Sequence, residues 1–564
     1  MLIGIDVGGT YTDAALIRDR QVVRAAKIPT RSELLSSLLE ALDQIMEGVD
    51  PAAIQRVGLS TTLITNLIAE DKVEPVALVA IPGPGANPSG FTVFDDAHLI
   101  KGAIDYRGRE TQKLQPAEIA EVMKKIEKQG IRKVAVVGKF SGRNNQHENE
   151  IYKYVTQNHP QLEVELGHQA AGKLNFPRRA ATTRLTAATR PAYRNFISQI
   201  KAALQERKIK AQVYILKADG GTLPLEKAVE VPVETIFSGP AASTMGVLAL
   251  TPEGQTSVVV DIGGTTTDLA LILSGRPLLV SKGARVQQHL TQVRAFSVRS
   301  VALGGDSTIQ VKADKLQIGP LREGPARCLG GPVATPTDAM RVLGLIDLGD
   351  EKLAREAIAE IAKQLPTNSM APEEEPVITT ARKIIDEVAV ILTREINYMF
   401  SEWEQEPAYR IWEMMQKERI RPQNIVGVGG SAPPLIPLIA KDMNCQGIVP
   451  DNAPIANALG AAVARPTMGI TLRVDTEQAV YTLAEDGTQE RLVRLSKFHL
   501  EEAENLAREL LKNRAEEMGL TEYSREAEVT HRELFNMIRG WSRVGRLIDV
   551  EVQIPPGLIA EWIN

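Results

Sequence analysis

At 564 residues the chain is too long for one hydrophobic core and divides into about three or four domains or subdomains. A hydrophobic content of 43% with 24% charge is that of a globular protein, and a net charge of −5 implies neither nucleic acid nor an anionic membrane as partner. The aromatic share of 4% argues against a base-stacking surface. No apolar run approaches the ~18 residues of a membrane span, and no charged-then-apolar leader precedes the first motif, so a cytoplasmic location is expected.

Two cysteines, Cys328 and Cys445, are too few for a disulfide framework or for a four-thiolate cluster within one chain. Two such chains could share a cluster, but nothing around either thiol favours that over an inert buried role. The seven histidines include no H-x-x-H or H-x-x-x-H pair, so no zinc site announces itself, though one assembled from distant residues stays open.

The first stretch, Leu2–Leu16, reads LIGIDVGGTYTDAAL: a strand, a tight turn and a returning strand. Paired glycines let the turn bring backbone N–H groups close to a phosphate. The threonines add hydroxyl donors, and the aspartate before the turn can hold Mg²⁺ or its water. A strand at Gln21–Lys27 and an apolar-striped helix at Ser32–Gly48, behind a Ser cap, follow. Arg56–Thr62 is a strand running into a helix that ends near Glu70. Thr61, Thr62, Thr65 and Asn66 cluster at that helix start, either as caps or as a polar site for an anion or substrate.

Strand Val76–Ile81, the Pro/Gly loop Pro82–Gly90, helix Pro116–Gly130, strand Lys133–Gly138, helix Gln146–Asn158 and strand Leu162–Glu165 alternate as βαβ units, which predicts a parallel sheet. Arg178, Arg179, Thr182, Thr183 and Arg184 then form a basic, hydroxyl-rich cluster, either solvated surface or a reach toward a phosphate or carboxylate. A helix at Ala192–Arg207 and a strand at Val213–Lys217 come next. Phe237–Leu250, FSGPAASTMGVLAL, opens on a Ser-Gly-Pro turn and continues as a small-residue helix suited to close packing.

The opening motif recurs at Val258–Leu271 as VVVDIGGTTTDLAL, 255 positions on when Asp261 is set against Asp6. Two copies between strand-like runs predict duplicated half-domains facing each other across a nucleotide. A third turn, in Asn424–Leu435 (NIVGVGGSAPPL), breaks an apolar run at Gly427, Gly429, Gly430 and Ser431, where a nucleoside can lie against bare backbone. Phosphate turn, phosphate turn, nucleoside turn is an order that resembles the actin, sugar kinase and Hsp70 superfamily. The expected architecture is therefore α/β, with duplicated actin-like ATPase (ribonuclease H-like) lobes and a smaller α+β C-terminal module. Residues 1–175 form the N-terminal lobe, 176–255 a connecting helical region, 256–465 the second lobe and 466–564 the C-terminal module. That module reads as strands at Ile470–Val474, Ala479–Leu483, Gln489–Arg494 and Arg546–Gln553 around a charged helix, Glu501–Met518, whose Glu501, Glu502, Glu504, Arg508 and Glu509 form a solvated face. Trp541, Ile548 and Trp562 mark either local core or a contact with another subunit.

Across residues 1 to 465 the chain also resembles the hydantoinase/oxoprolinase family, whose large subunits share that superfamily fold. The blocks that carry the likeness, in the family's order, are DVGGTYTD at 6–13, STTLITN at 60–66, RAATTRLTA at 179–187, SGPAA at 238–242, DIGGTTTD at 261–268, LGGDS at 303–307, the glycine-rich stretch 318–331, TPTDAMRVLG at 335–344 and VGGSAPPLIPLIA at 428–440. The resemblance implies ATP-dependent attack on a sluggish amide or carbonyl: hydrolysis of hydantoins, 5-oxoproline or related cyclic amides, or, in a carboxylase branch, carboxylation of ketones. It also implies a second subunit as partner and a homo- or hetero-oligomer.

Matched residue by residue, Asp6 and Asp261 would hold Mg²⁺ or its water shell and share the catalytic role. Gly8, Gly9, Thr10, Thr12, Gly263, Gly264, Thr265 and Thr267 would cradle the phosphates of ATP, and Gly429, Gly430 and Ser431 the nucleoside. Thr61, Thr62, Asn66 and Arg179 stand as substrate contacts, while Asp13 and Asp268 read more simply as hairpin braces. Two departures bear on the chemistry. Leu59 and Arg299 stand where the family commonly has histidine, and Asp306 replaces a glycine. Losing two histidines removes candidate ligands or bases, and Asp306 is either a replacement catalytic carboxylate or a plain turn residue. An ATP-driven conformational protein acting on a partner is thus the alternative to an amide-activating enzyme.

Overall fold

The two copies of the phosphate-turn motif open two sheets of one topology. The computed structural model describes residues 1–85, 87–251, 254–366, 375–405, 419–485, 487–492, 498–539 and 542–563. In the first lobe β1 (Leu2–Val7), β2 (Tyr11–Arg18) and β3 (Gln21–Pro29) run antiparallel. Helix α1 (Leu34–Met46) then leads to β4 (Arg56–Thr61), parallel to β1, and to α2 (Leu63–Ala69). An insertion follows: β5 (Val76–Ile81), β6 (His98–Leu99), α3 (Pro116–Lys128), β7 (Lys133–Gly138), α4 (Gln146–Asn158) and β8 (Glu163–Leu166). Its sheet is parallel throughout, in the order β8-β7-β5-β6, and has its own core. The expected βαβ sheet is therefore present, but as a separate sheet within residues 1–175.

Helix α5 (Phe176–Glu206) returns the chain to the first lobe, where β9 (Gln212–Leu216) and β10 (Thr222–Pro224) complete the sheet β10-β9-β4-β1-β2-β3. This helix begins 16 residues before the start expected from Ala192, counting back to Phe176, and carries Pro191 inside it. The reason is local. Asn175 caps its start through Arg178 N, and Thr182, Thr183, Thr186 and Thr189 each donate to the carbonyl four residues back, so residues that compete with helix elsewhere are absorbed here.

Helix α6 (Ser238–Leu250) crosses to the second lobe, built from β11 (Ser257–Ile262), β12 (Thr267–Leu273), β13 (Arg276–Pro277), β14 (Val298–Val301), α7 (Pro336–Val342), α8 (Glu351–Ala362), α9 (Pro376–Gln405), β15 (Asn424–Val428), α10 (Ala432–Asp442) and β16 (Gln446–Ile448). Its sheet runs β13-β12-β11-β15-β16, with β14 also pairing to β12. Strand for strand this repeats β3-β2-β1-β4-β9: three antiparallel strands, then two parallel to the first. The registers match as well, Asp6 opposite Asp13 in one lobe and Asp261 opposite Asp268 in the other.

Helix α11 (Ala456–Val463) closes the second lobe by lying on the first. Bare strips of strand admit it: a Cβ at Gly4 would fall 1.9 Å from the Ala458 carbonyl oxygen, and one at Gly58 1.9 Å from that of Ala461. It meets α6 just as closely and reciprocally, since a Cβ at Gly246 would fall 2.1 Å from the Ala456 oxygen and one at Gly460 2.1 Å from the Ala242 oxygen.

The C-terminal module is an antiparallel sheet of β17 (Gly469–Asp475), β18 (Val480–Leu483), β19 (Gln489–Arg491), β20 (Glu528–Arg539) and β21 (Ser542–Gln553), ordered β19-β18-β17-β21-β20 and packed on α12 (Leu500–Glu517). Strand β20 escapes sequence periodicity because it is an edge strand largely exposed on both faces. Ile548 lies in this module's core, and Trp562 packs beside α6 with its indole N–H donating to Ala249 O at 3.2 Å, so both are satisfied within the chain. Trp541 and the end of the strand expected to reach Arg494 lie outside the described residues.

The crossing contact is testable. Gly460→Ala is expected to destabilise the chain by about 1–3 kcal/mol or more in chemical denaturation, since the clash is with backbone. Gly239→Ala, at a helical glycine with nothing within 4 Å of its Cβ position, is the neutral control.

Candidate active site

Each phosphate turn is closed by one backbone hydrogen bond, Gly8 N to Tyr11 O at 3.1 Å and Gly263 N to Thr266 O at 3.0 Å. The two aspartates that precede the turns meet on the crossing helices. Asn457 of α11 donates through Nδ2 to Asp6 Oδ2 and to Asp261 Oδ2, both at 3.3 Å. Ser243 of α6 donates to Asp261 Oδ2 and lies 3.0 Å from Asn457 Oδ1. Ser243 and Asn457 occupy corresponding places, each three residues before its contact glycine, Gly246 or Gly460. Neither was marked out in the sequence. The shared pattern, a polar residue three before a glycine in an otherwise small and apolar helix, is the signal that would have found them.

Burial sets the electrostatics. It pushes the Asp6 carboxyl up to about 6, helped by the nearby Asp13 and Asp261 charges, and it pushes Asp268 up to about 6 with help from Asp261. Asp13 is also raised by burial, although Lys27 pairs with both its oxygens at 2.7 and 2.9 Å. Lys27 donates as well to Pro454 O at 3.1 Å, tying the brace to the residues just before α11. Asp6 Oδ1 is buried without a hydrogen bond of its own, while the Ser60 hydroxyl and the Asn457 amide favour the charged form of the carboxyl against that burial.

That orphaned oxygen, beside a second carboxylate that shares the same amide, is what a divalent cation would satisfy, and hard oxygen donors suit Mg²⁺. The residues present therefore fit the cation that the motif match implies, and Asp6 and Asp261 are the ones that would hold it. Gly429 has a positive φ of 85°, and a Cβ there would fall 2.5 Å from Ile262 O and 3.0 Å from Asp261 Oδ1, so glycine is what lets the third turn pack against the end of β11. Gly9 and Gly430 face open space. The LGGDS block folds onto the second turn, Gly305 N donating to Gly263 O at 2.9 Å and Asp306 N to Gly264 O at 2.7 Å. A Cβ at Gly305 would lie 2.9 Å from Ser431 Oγ and 2.7 Å from Thr337 Oγ1, so four of the sequence blocks converge here.

Several expected residues are placed elsewhere. Thr12 and Thr267 are fully buried, and their hydroxyls are used inside the protein, Thr12 with Thr30 Oγ1 at 2.9 Å and Thr267 donating to Leu303 O at 2.7 Å. Thr10 and Thr265 lie in the turns before β2 and β12 and keep exposure, as does Thr266. Thr61 Oγ accepts from Leu63 N at 3.2 Å, Thr62 donates to Val7 O at 3.1 Å, and Asn66 donates to Thr62 Oγ1 at 3.3 Å. Those bonds fasten the start of α2 to the first turn without a side-chain cap from the N-cap residue Thr62, and Ser238 Oγ adds contacts to Thr61 N and O. Arg179 is buried in the first turn of α5, its guanidinium donating to the carbonyls of Lys173 and Lys139 at 2.9 and 2.8 Å and to that of Gly138. It braces the inserted sheet and does not reach the aspartates as a substrate contact.

Leu59 is a core residue of β4, and Arg299 is held by Glu395 and Glu402 of α9, each at 2.8 Å, over the Tyr398 ring. Burial pushes the Cys328 thiol up to about 12 and raises Cys445, consistent with inert thiols. Among the described residues no group of three or more His, Cys, Asp or Glu forms a metal cluster.

Twin lobes of this order, closed by crossing helices over paired phosphate turns, define the actin-like ATP-binding fold. The chain belongs to the hydantoinase/oxoprolinase family: the family's N-terminal region matches residues 2–159 and its Hydantoinase/oxoprolinase domain residues 179–469. It is 27% identical over 380 residues to the caprolactamase subunit alpha of Pseudomonas jessenii, a match covering 61% of this chain and 54% of that one, so it spans about half of that relative's length. In three dimensions it is similar to the ATP-dependent caprolactamase of Pseudomonas jessenii, with a TM-score of 0.72 at 20% identity over 98% of this chain and 87% of that one. It is also similar to a nucleotide-free acetone carboxylase, with a TM-score of 0.70 at 18% identity over 99% of this chain and 87% of that one.

The raised carboxyls generate a pH prediction. A carboxyl held near 6 in the folded chain favours the protonated form, so its contribution to stability is present below pH ~4 and is lost as pH rises through 6. Asp6→Asn, which removes the buried charge, is therefore expected to raise the melting temperature at pH 8 and to change it little at pH 4, as scanning calorimetry at the two pH values would read.

Proposed function

We propose that the chain binds Mg-ATP between its lobes and acts as an ATP-dependent hydrolase of a cyclic amide such as a hydantoin, 5-oxoproline or another lactam. The single observation behind this reading is the pair Asp6 and Asp261 on one amide nitrogen, with an oxygen of Asp6 unpartnered in a buried centre. An amide carbonyl is a poor electrophile. Bound Mg-ATP would supply a phosphoryl group to the amide oxygen, making the carbonyl carbon electrophilic enough for water to add; the C–N bond would then break with the ring amine as leaving group, and a second water would release phosphate from the acyl phosphate.

The chain's own residues position and neutralise. Asp6 and Asp261 fix the cation or its water, Gly8, Gly9, Thr10, Gly263, Gly264 and Thr265 present backbone and hydroxyl donors to the phosphates, and Gly429, Gly430 and Ser431 leave room for the nucleoside. The caprolactamase match is to one subunit of an enzyme, which supports a second subunit as partner here. No helix among the described residues is long and apolar enough to cross a membrane.

A second reading, an ATP-driven conformational protein or a ketone-carboxylase-type subunit, is favoured by Leu59 and Arg299, neither of which offers a base at the site. Steady-state ATPase assays separate them. A hydrolase is expected to show ADP release stimulated by a cyclic amide, with ring-opened product, and Asp261→Asn is expected to lower that rate about 10²-fold or more. Tight ATP binding with no stimulation by any lactam, hydantoin or ketone would leave the conformational reading.

A further inference from the structure

Asp306, the carboxylate that stands where the family block has glycine, is not free. Arg322 donates to its Oδ2 from Nη2 at 2.9 Å and from Nε at 3.3 Å. Both donors converge on one oxygen and do not fork across two, and the guanidinium keeps 34% of its side-chain exposure. Such a pair is a weak one, easily exchanged for a better acceptor.

What lies next to it is the phosphate turn. Asp306 Oδ2 stands 2.7 Å from where a Gly264 Cβ would be, and Asp306 N already donates to Gly264 O at 2.7 Å. A negative group is thus built against the turn that would cradle a phosphate, with a guanidinium one carboxylate away from it. Arginine prefers the two-oxygen face of a phosphate to a single carboxylate oxygen.

We propose that Arg322 senses the terminal phosphate of the bound nucleotide, parked on Asp306 when that phosphate is absent and transferred to it when a nucleoside triphosphate occupies the turns. Asp306 is then a positioning residue, a stand-in for phosphate oxygens that keeps the guanidinium aimed at the turn. The inference rests on the nucleotide reading given above and goes beyond it by assigning a residue to the γ-phosphate alone.

Calorimetric titration of the full chain with Mg-ADP and with a non-hydrolysable Mg-ATP analogue tests it. Arg322→Ala is expected to weaken the analogue about tenfold while leaving ADP within about twofold. Asp306→Gly is expected to tighten the analogue about threefold, an effect that disappears in the Arg322→Ala/Asp306→Gly double variant because competition for the guanidinium is gone. Should Arg322→Ala not fold, Arg322→Gln carries the same expectation, since it keeps the stem and removes the charge.

Equal changes in ADP and analogue affinity, or no change in either, would overturn the inference and leave the pair as a brace of the 318–331 stretch. A parent chain that binds neither nucleotide overturns the nucleotide reading and this one with it. A parent that binds both with no discrimination by the variants overturns this one alone.

Discussion

The contact on which the rest depends is backbone against backbone. Where α6 and α11 cross, Gly246 lies under Ala456 and Gly460 under Ala242, with no side chain between them to absorb a change of angle. Each helix belongs to one lobe in sequence and reaches an aspartate of the other with the polar residue one turn before its glycine: Ser243 to Asp261, Asn457 to Asp6. Lobe geometry and carboxylate geometry are thereby one quantity. A rotation of one lobe on the other has to move a helix and its hydrogen bond together, which is how packed, bistable interfaces turn small local shifts into domain motion.

That crossing concentrates charge. Asp6, Asp13, Asp261 and Asp268 lie at the same ends of two mirrored hairpins, and only Asp13 has a lysine, Lys27, directly on it among the described contacts. Burial and mutual repulsion hold Asp6 and Asp268 near 6, well above the ordinary carboxylate range. Without a cation this arrangement opposes folding at neutral pH; a divalent ion between the carboxylates would offset it. The strain is local, and the glycine-lined helices and core strands that surround it supply the stability that tolerates it.

Much of this is written in the residues. Asp-x-Gly-Gly-Thr-x-Thr-Asp twice, then Val-Gly-Gly-Ser, carries the topology because paired glycines between apolar runs have few other structural solutions. The inserted βαβ sheet was legible for the same reason of periodicity, though not its separation from the lobe-one sheet, which depends on strand order that no local pattern encodes. Thr12 and Thr267 look like phosphate donors in sequence and are core hydroxyls in space, because β2 and β12 are covered on both faces and neighbouring segments, Thr30 and Leu303, take up their hydroxyls. Arg179 shows the opposite failure: an arginine among threonines suggests a ligand, yet its partners are three backbone carbonyls, Lys173 nearby and Gly138 and Lys139 in a segment far from it in sequence. Ser243 and Asn457 went unmarked because their meaning lies in a contact between helices more than 200 positions apart.

The placement of histidine narrows how a proton could move. His98, His147, His159 and His168 lie in the inserted unit, the last three paired with Glu110, Glu127 and Glu148, while His289 sits between β13 and β14 and His499 and His531 belong to the C-terminal module. With Leu59 in the core and Arg299 locked to α9, no imidazole stands at the aspartate centre among the described residues. On the proposed reaction, the proton taken from attacking water would then go to a group other than histidine, or to one from a second subunit. Burial raises the Asp6 and Asp268 carboxyls to about 6, and a cation on Asp6 and Asp261 would lower Asp6 again. The same desolvation that makes the centre costly is thus what raises its carboxyls, so charge and burial there are set by one crossing of two helices.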